Sequence, residues 1–520
     1  MKRFLALALS LICMLACVFS VGCTKGLTKA QKENALIIEY YKAGYGELWI
    51  QNLAAEFTSK TGKEVVLLPR SGNEGITNMA TSLTSGVAHT DLYFTSNPDF
   101  EAIYRGAALA NGVRYDTWFA DLTDVYDSTV EGENIKFKDK MFDAFEEYYK
   151  MPEDYDDKDK ELFYSNKYYF VPWVTGMNGF VVNMNVWNSK VGSTAEFPKT
   201  TNELLEIFKS VKSEIAPLIY SLGDEYFTSF LPIFMNQYEG SAEMDRFYQG
   251  FDPNSGYRYD KDMVGYEGFL KALEFFEEML KPANGYTHSK SVDFTFMDMQ
   301  GQFLGGQALM TINGDWLERE MINNYPNAQI KMMKTPVLSS VIEKCDTIND
   351  DATLSAVIAA IDNGATSYAG VSETDFAYIA EARNMQLVTG NNTVALVPVY
   401  SNQIDAAKEF LKFMATDEGM LIFRNSTNGC ELPFTYTNAD NKVYADASMF
   451  RQSINEALDG SVTRFVNNKD KVFTIGGINV FMYNQGLRFV KAFTTGEKTA
   501  QKFFDDEVAA VAKLLKNANI

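Results

Sequence analysis

The stretch Gly305-Gly306-Gln307-Ala308-Leu309-Met310-Thr311-Ile312-Asn313-Gly314-Asp315-Trp316 carries more information about the fold than any other part of this chain. It reads as a strand that stops at Asn313-Gly314-Asp315 and delivers a tryptophan just beyond the stop. A glycine at that point is expected to let the backbone turn and expose the side chain that follows. Trp316 is then either a surface platform or a core residue, since aromatic side chains are most often buried.

Outward from this strand, the chain alternates strands and helices. Ala35 to Tyr41 is a strand that ends at the loop 42–46. A helix follows, with Trp49, Leu53 and Phe57 spaced along one face. Residues 63–68 form a second strand, and 91–94 a third that ends at Thr95-Ser96-Asn97-Pro98. Strand, helix, strand in this order argues for a parallel sheet covered by helices. A second α/β unit is expected to begin near Tyr168–Pro172 and continue through a strand at 179–183. Thr200 and Glu203 have capping-box spacing at the head of a helix with Leu204, Phe208 and Val211 on its apolar stripe. Further apolar stripes mark helices at Phe269–Leu280, Ala407–Met414 and Phe504–Leu515. Residues 125–165 and 338–385 are polar and acidic in places and read as insertions at the edges of the units. Asp154, Asp156, Asp157 and Asp159 lack the glycine and glutamate of an EF-hand loop, so they read as a solvated acidic run.

Composition narrows the function. The 520 residues exceed one small core and imply at least two packed units. A net charge of −21 repels phosphate backbones and argues against nucleic-acid binding. Cys13 and Cys17 lie in an apolar leader, leaving Cys23, Cys345 and Cys430 with no CxxC pair; His89 and His288 stand far apart. No metal site and no cofactor are therefore expected. Cys345 and Cys430 are expected as isolated thiols, with a disulfide left open.

The N-terminus has the order of an export signal: Lys2-Arg3, then an apolar run from Phe4 to Val21, then Gly22-Cys23. This ending resembles the bacterial lipobox, in which cleavage precedes a cysteine that carries lipid; Ser20 stands where that pattern has leucine. Met14-Leu15-Ala16-Cys17 is a competing site, and an uncleaved anchor helix is the alternative. The expectation is a signal peptide over 1–22, lipid on Cys23, a tether over 23–34, and a body anchored on the extracytoplasmic face of the membrane.

Taken in order, these segments resemble the family of extracellular solute-binding proteins that serve sugar ABC importers. Ala308 to Trp316 is similar to a run in maltose-binding proteins, in which a strand leads to a tryptophan that stacks on sugar. Ala407–Leu411 followed by Thr416–Gly419, Val181–Trp187 and Pro198–Leu204 are also similar to shared stretches. The resemblance implies an α/β, two-lobed periplasmic-binding-protein-like fold of type II, with a hinge and an interlobe cleft. It places lobe one at 35–165 and 330–415, and lobe two at 166–329 and 416–520. It also implies a monomer working with membrane permease subunits.

Site residues follow from the same resemblance. A sugar ring has CH groups on one face and hydroxyls at its rim, so an aromatic plane beside amides and carboxylates suits it. Trp316 and Asp315 are the leading candidates. Asp224 and Tyr226 lie in a segment similar to one that contacts sugar in the family. Trp173 opens the second unit; Ser96 and Asn97 end the third strand; Tyr41 ends the first. Rival functions stay open: a glycoside hydrolase needs only two carboxylates, and the same fold binds peptides or polyamines. A surface adhesion or sensor protein is a third.

Overall fold

The computed structural model describes residues 27–42, 44–70, 79, 82–83, 89–96, 118–150, 167–222, 226–390, 393–442, 444, 446–461 and 488–517. They fall into two units, one within Met1–Gly176 and Thr389–Ala447, the other within Met177–Val388 and Ser448–Ile520. The chain thus passes from one unit to the other three times.

In the first unit, β1 (Leu36–Tyr41), β2 (Val65–Arg70) and β3 (Leu92–Ser96) are parallel, with β1 between the other two. β1 is buried along almost its whole length, as a central parallel strand must be. β4 (Val171–Pro172) completes this sheet at its far edge. The helix Leu48–Thr61 covers the sheet through Trp49, Leu53 and Phe57, the face its spacing predicts. It stops at Gly62, whose φ of 73° lies in the left-handed region.

The second unit holds β5 (Gly176–Asn183), β6 (Ala216–Ile219), β7 (Ala308–Gly314) and β8 (Ile330–Met333) in the order β6-β7-β5-β8. β7 runs parallel to β6 and antiparallel to β5, and both β5 and β7 are buried along their full length. β8 borders β5, and the helix Met449–Leu458 lies along it, with Ser453 Oγ accepting the Met332 amide at 2.8 Å. That covers part of an edge that would otherwise present unpaired backbone. The expected capping box is present: Thr200 accepts from the Glu203 amide, and the Glu203 carboxylate accepts from Thr200.

Where the chain returns to the first unit, β9 (Leu387–Thr389) is followed by β10 (Thr393–Leu396). β10 inserts antiparallel between β3 and β4. Two α/β units, the first with a late strand inserted into a parallel sheet, match the type II class expected from the sequence.

The unit boundaries differ from that expectation. Residues 330–388 belong to the second unit, because β8 pairs with β5. The helices Asp351–Asp362 and Glu373–Asn384 also bury Leu354, Val357, Phe376 and Ile379 in the second core. The 338–385 segment is therefore part of a core, not an edge decoration. Residues 416–447 belong to the first unit: Phe423, on the helix Asp417–Ser426, meets Trp49 at 5.4 Å. So do residues 167–176, through the pairing of β4 with β10. In 125–150, Phe137 and Phe145 are core residues; the Asp154–Asp159 run lies outside the described residues.

The last helix, Ala500–Asn517, buries Phe503, Val511 and Leu515, while Phe504 and Val508 are only half-buried. Its seam keeps Val511 and Leu515 of the predicted stripe but takes Phe503 and Glu507 in place of Phe504 and Val508, and Glu507 is fully buried. Arg488 supplies the opposing charge at 2.6 Å, which is what allows a carboxylate there.

Candidate functional site

The carboxyl end of β7 builds the first part of the site. Asn313 lies opposite Gly179, and Gly314 opposite Asn178, so Asn178 and Gly314 share one face of the sheet. The Trp316 indole folds back over Gly314: a methyl group there would lie 2.5 Å from both Cζ2 and Cζ3. Gly314 has no left-handed φ. The glycine is thus needed for close approach of the ring and not for the expected turn. Trp316 remains partly exposed and stands immediately before the short helix Leu317–Met321.

Of the two amides at this strand end, Asn178 shares the face of the ring, whereas Asn313 points to the opposite face. Asn178 is 7% exposed and Asn313 fully buried. Asn178 Oδ1 and Asn313 Nδ2 have no hydrogen-bond partner among the described residues, although Asn313 Oδ1 accepts the Gly314 amide at 2.7 Å. Leaving a buried polar atom unmade costs about 1–3 kcal/mol. Asn178 Oδ1, on the face that carries the indole, is an atom that a hydroxyl-bearing ligand would satisfy.

Asp315 is placed differently from expectation. It is fully buried and faces Arg451, whose guanidinium donates to Oδ2 at 3.3 Å and to the Asp315 carbonyl at 3.2 Å. The Asp315 amide in turn donates to Met177 O at 3.0 Å. Asp315 is therefore a structural carboxylate behind the tryptophan, not a surface group beside it.

In the first unit, the carboxyl ends of β1, β2 and β3 line a hollow that includes Glu39, Tyr41, Arg70, Tyr93 and Thr95. Parallel sheets place ligand-binding groups at this end. Glu39 meets Arg70 at 3.4 Å and accepts from Thr90 Oγ1 at 3.4 Å. Burial raises the Glu39 carboxyl, and Arg70 and the Thr90 hydroxyl pull it back only in part. Tyr41, at the end of β1, lines the hollow.

The other candidates divide. Trp173 lies in the first unit, fully buried, stacked on Trp49 at 4.9 Å and 12°, with its indole N–H on Thr95 O at 3.0 Å. It is a core tryptophan and presents no face to a ligand. Ser96 closes β3 opposite Thr393. Tyr226 opens the helix Tyr226–Glu239. Asp224, Asn97 and Cys23 lie outside the described residues. Sequence reasoning missed Asn178 and Arg451. The first was signalled by one amide inside an apolar strand; the second had no local signal, because its partner is 136 residues away.

Two α/β units of this topology agree with what sequence comparison finds. The profile of bacterial extracellular solute-binding proteins matches residues 43–421. The chain belongs to that family. This solute-binding protein is similar in fold to several solved structures, each at low identity. A binding protein MsmE of Bacillus subtilis, in an open conformation, has 13% identity and a TM-score of 0.56, covering 94% of this chain and 99% of its own. An ABC transporter solute-binding protein of Thermotoga lettingae, bound with α-D-tagatose, has 14% identity and a TM-score of 0.57, covering 92% and 99%. The GacH receptor of Streptomyces glaucescens, solved unliganded and with acarbose, has 15% identity and a TM-score of 0.55, covering 93% and 99%. No curated protein matches the chain. Among the described residues, no helix is long and apolar enough to cross a membrane.

Proposed function

We propose that this solute-binding protein captures a sugar for an ABC importer, as a lipoprotein anchored through Cys23, and that it performs no chemistry on the ligand. The observation that carries the sugar assignment is the Trp316 indole lying on Gly314, on the face that also bears Asn178. An aromatic plane accepts the CH face of a pyranose, and the amide oxygen accepts one of its hydroxyls. A polyamine would call for several facing carboxylates, whereas Asp315 is committed to Arg451. Fold relatives bound with tagatose and acarbose point the same way.

The test is a thermal-shift screen against mono- and oligosaccharides, with peptides and polyamines as controls. A ligand at a hundred times its Kd adds about 2.7 kcal/mol of stability. Stabilisation by peptides or polyamines alone would overturn the sugar assignment. Recovery of the bound sugar unchanged and at one per chain supports binding over hydrolysis; recovery of cleaved sugar refutes it. For the anchor, Cys23→Ala is expected to release the protein from membranes. Wild-type protein found free and without lipid would remove that part of the proposal.

A further inference from the structure

We propose that Arg451 is a positioning residue for Trp316: from the helix Met449–Leu458 it holds the indole on Gly314 through Asp315. Its functional meaning rests on the reading of Trp316 as the sugar platform, but its geometry stands apart from that reading.

The case begins with the residue between the two groups that must be aligned. Gly314 lies under the ring, Trp316 carries it, and Asp315 joins them. The amide, the carbonyl and one carboxylate oxygen of Asp315 are held. Its amide donates to Met177 O at 3.0 Å, while its carboxylate and its carbonyl both accept from Arg451, at 3.3 and 3.2 Å. The Asp315 carbonyl belongs to the peptide plane that leads into Trp316, so fixing that oxygen fixes the direction in which the Trp316 Cα departs. A guanidinium can make both contacts at once because its N–H groups form a rigid planar fork. It stays charged throughout, and the pair is almost wholly removed from water, at 3% and 0% exposure.

The guanidinium is delivered from a firm base. Arg451 sits in the first turn of the helix Met449–Leu458, whose N-cap Ser448 accepts the Arg451 amide at 3.1 Å. The Ser448 hydroxyl donates to Glu318 at 2.8 Å, on the short helix that follows Trp316. Ser453, two residues beyond Arg451, accepts the Met332 amide of β8. The loop carrying Trp316 is therefore gripped by one helix at Asp315 and at Glu318, on both sides of the tryptophan.

A buried ion pair that only stabilises the fold would look similar, so the test must read the indole itself. The chain has five tryptophans, which 5-fluorotryptophan labelling turns into a small set of fluorine NMR lines. Trp316→Phe assigns the line of interest in the full-length, ligand-free protein. Arg451→Lys keeps the charge but loses the fork. The expected result is that the Trp316 line moves by more than its own width, or broadens, while the lines of Trp49, Trp118, Trp173 and Trp187 stay in place. A lower melting temperature with the Trp316 line unmoved would overturn the proposal and leave Arg451 as a stabilising residue only. If Arg451→Lys does not fold, Arg451→Gln with Asp315→Asn removes both buried charges together, and the same two outcomes apply. No sugar enters this experiment, so its failure is separate from failure of the sugar reading, which titration of Trp316→Ala decides.

Discussion

One methyl group added at Gly314 probes the site more sharply than removal of the tryptophan. In Gly314→Ala the new carbon would lie 2.5 Å from Cζ2 and Cζ3 of Trp316. Carbon atoms in contact prefer roughly 3.5–4.0 Å, so the indole must retreat by about 1 Å or more. The backbone itself accepts alanine, because Gly314 is not in the left-handed region. If the ring is a partly exposed platform, it tilts away, the fold survives, and the stacking contact is lost. That contact is worth about 0.5–1.5 kcal/mol beyond buried area, which corresponds to roughly a two- to tenfold weaker Kd. If the ring is locked in the core, overpacking instead costs about 1–3 kcal/mol of folding stability. The assay is calorimetric titration with the sugar found by screening, paired with denaturant melts, on Gly314→Ala, Trp316→Ala and the double variant. Once the ring is gone the methyl has nothing to displace, so the double variant should bind no more weakly than Trp316→Ala. Additive losses in the double variant, or full affinity in Gly314→Ala, would refute the reasoning.

Three further outcomes are expected. Trp173→Ala should cost about 3–5 kcal/mol of stability as a large core truncation and leave the affinity of the folded fraction unchanged; a stable variant with weakened binding would return Trp173 to the site. Burial pushes the Asp417 carboxyl upward, but buried Lys140 at 2.7 Å, the Asn438 and Thr437 amides and Asn441 outweigh it and hold the carboxyl well below the usual range. Its contribution is present above the unfolded carboxylate value of about 3.9 and lost as pH falls below it, so Asp417→Asn should flatten the acid limb of a stability–pH curve below about pH 4. Burial, with Asp375 and Asp346 nearby, raises the half-buried Cys345 thiol to about 12, and Cys430 is fully buried; neither forms a disulfide with a described residue. Native protein should therefore react slowly with iodoacetamide at pH 8, and rapid labelling at either cysteine would contradict this environment.

Features that depend on near neighbours in the chain were legible from the sequence alone. The helix Leu48–Thr61, the Thr200–Glu203 capping box and the strands around Leu36, Val65 and Leu92 follow from apolar period and cap chemistry, which act over a few residues. Trp316 was marked because a strand ends two residues before it. Tertiary structure decided whatever depends on which distant segments meet. β8 joins the second sheet and β10 the first because of hydrogen bonding that no local pattern encodes. Trp173 is core because Trp49 lies flat against it, and Glu507 is tolerated in a helix seam because Arg488 faces it. Asp315 looked like a ligand group from its neighbours in sequence; Arg451, arriving from the far side of the second unit's chain, makes it a buried support. A buried charge is set by its partner, and partners are brought together by folding.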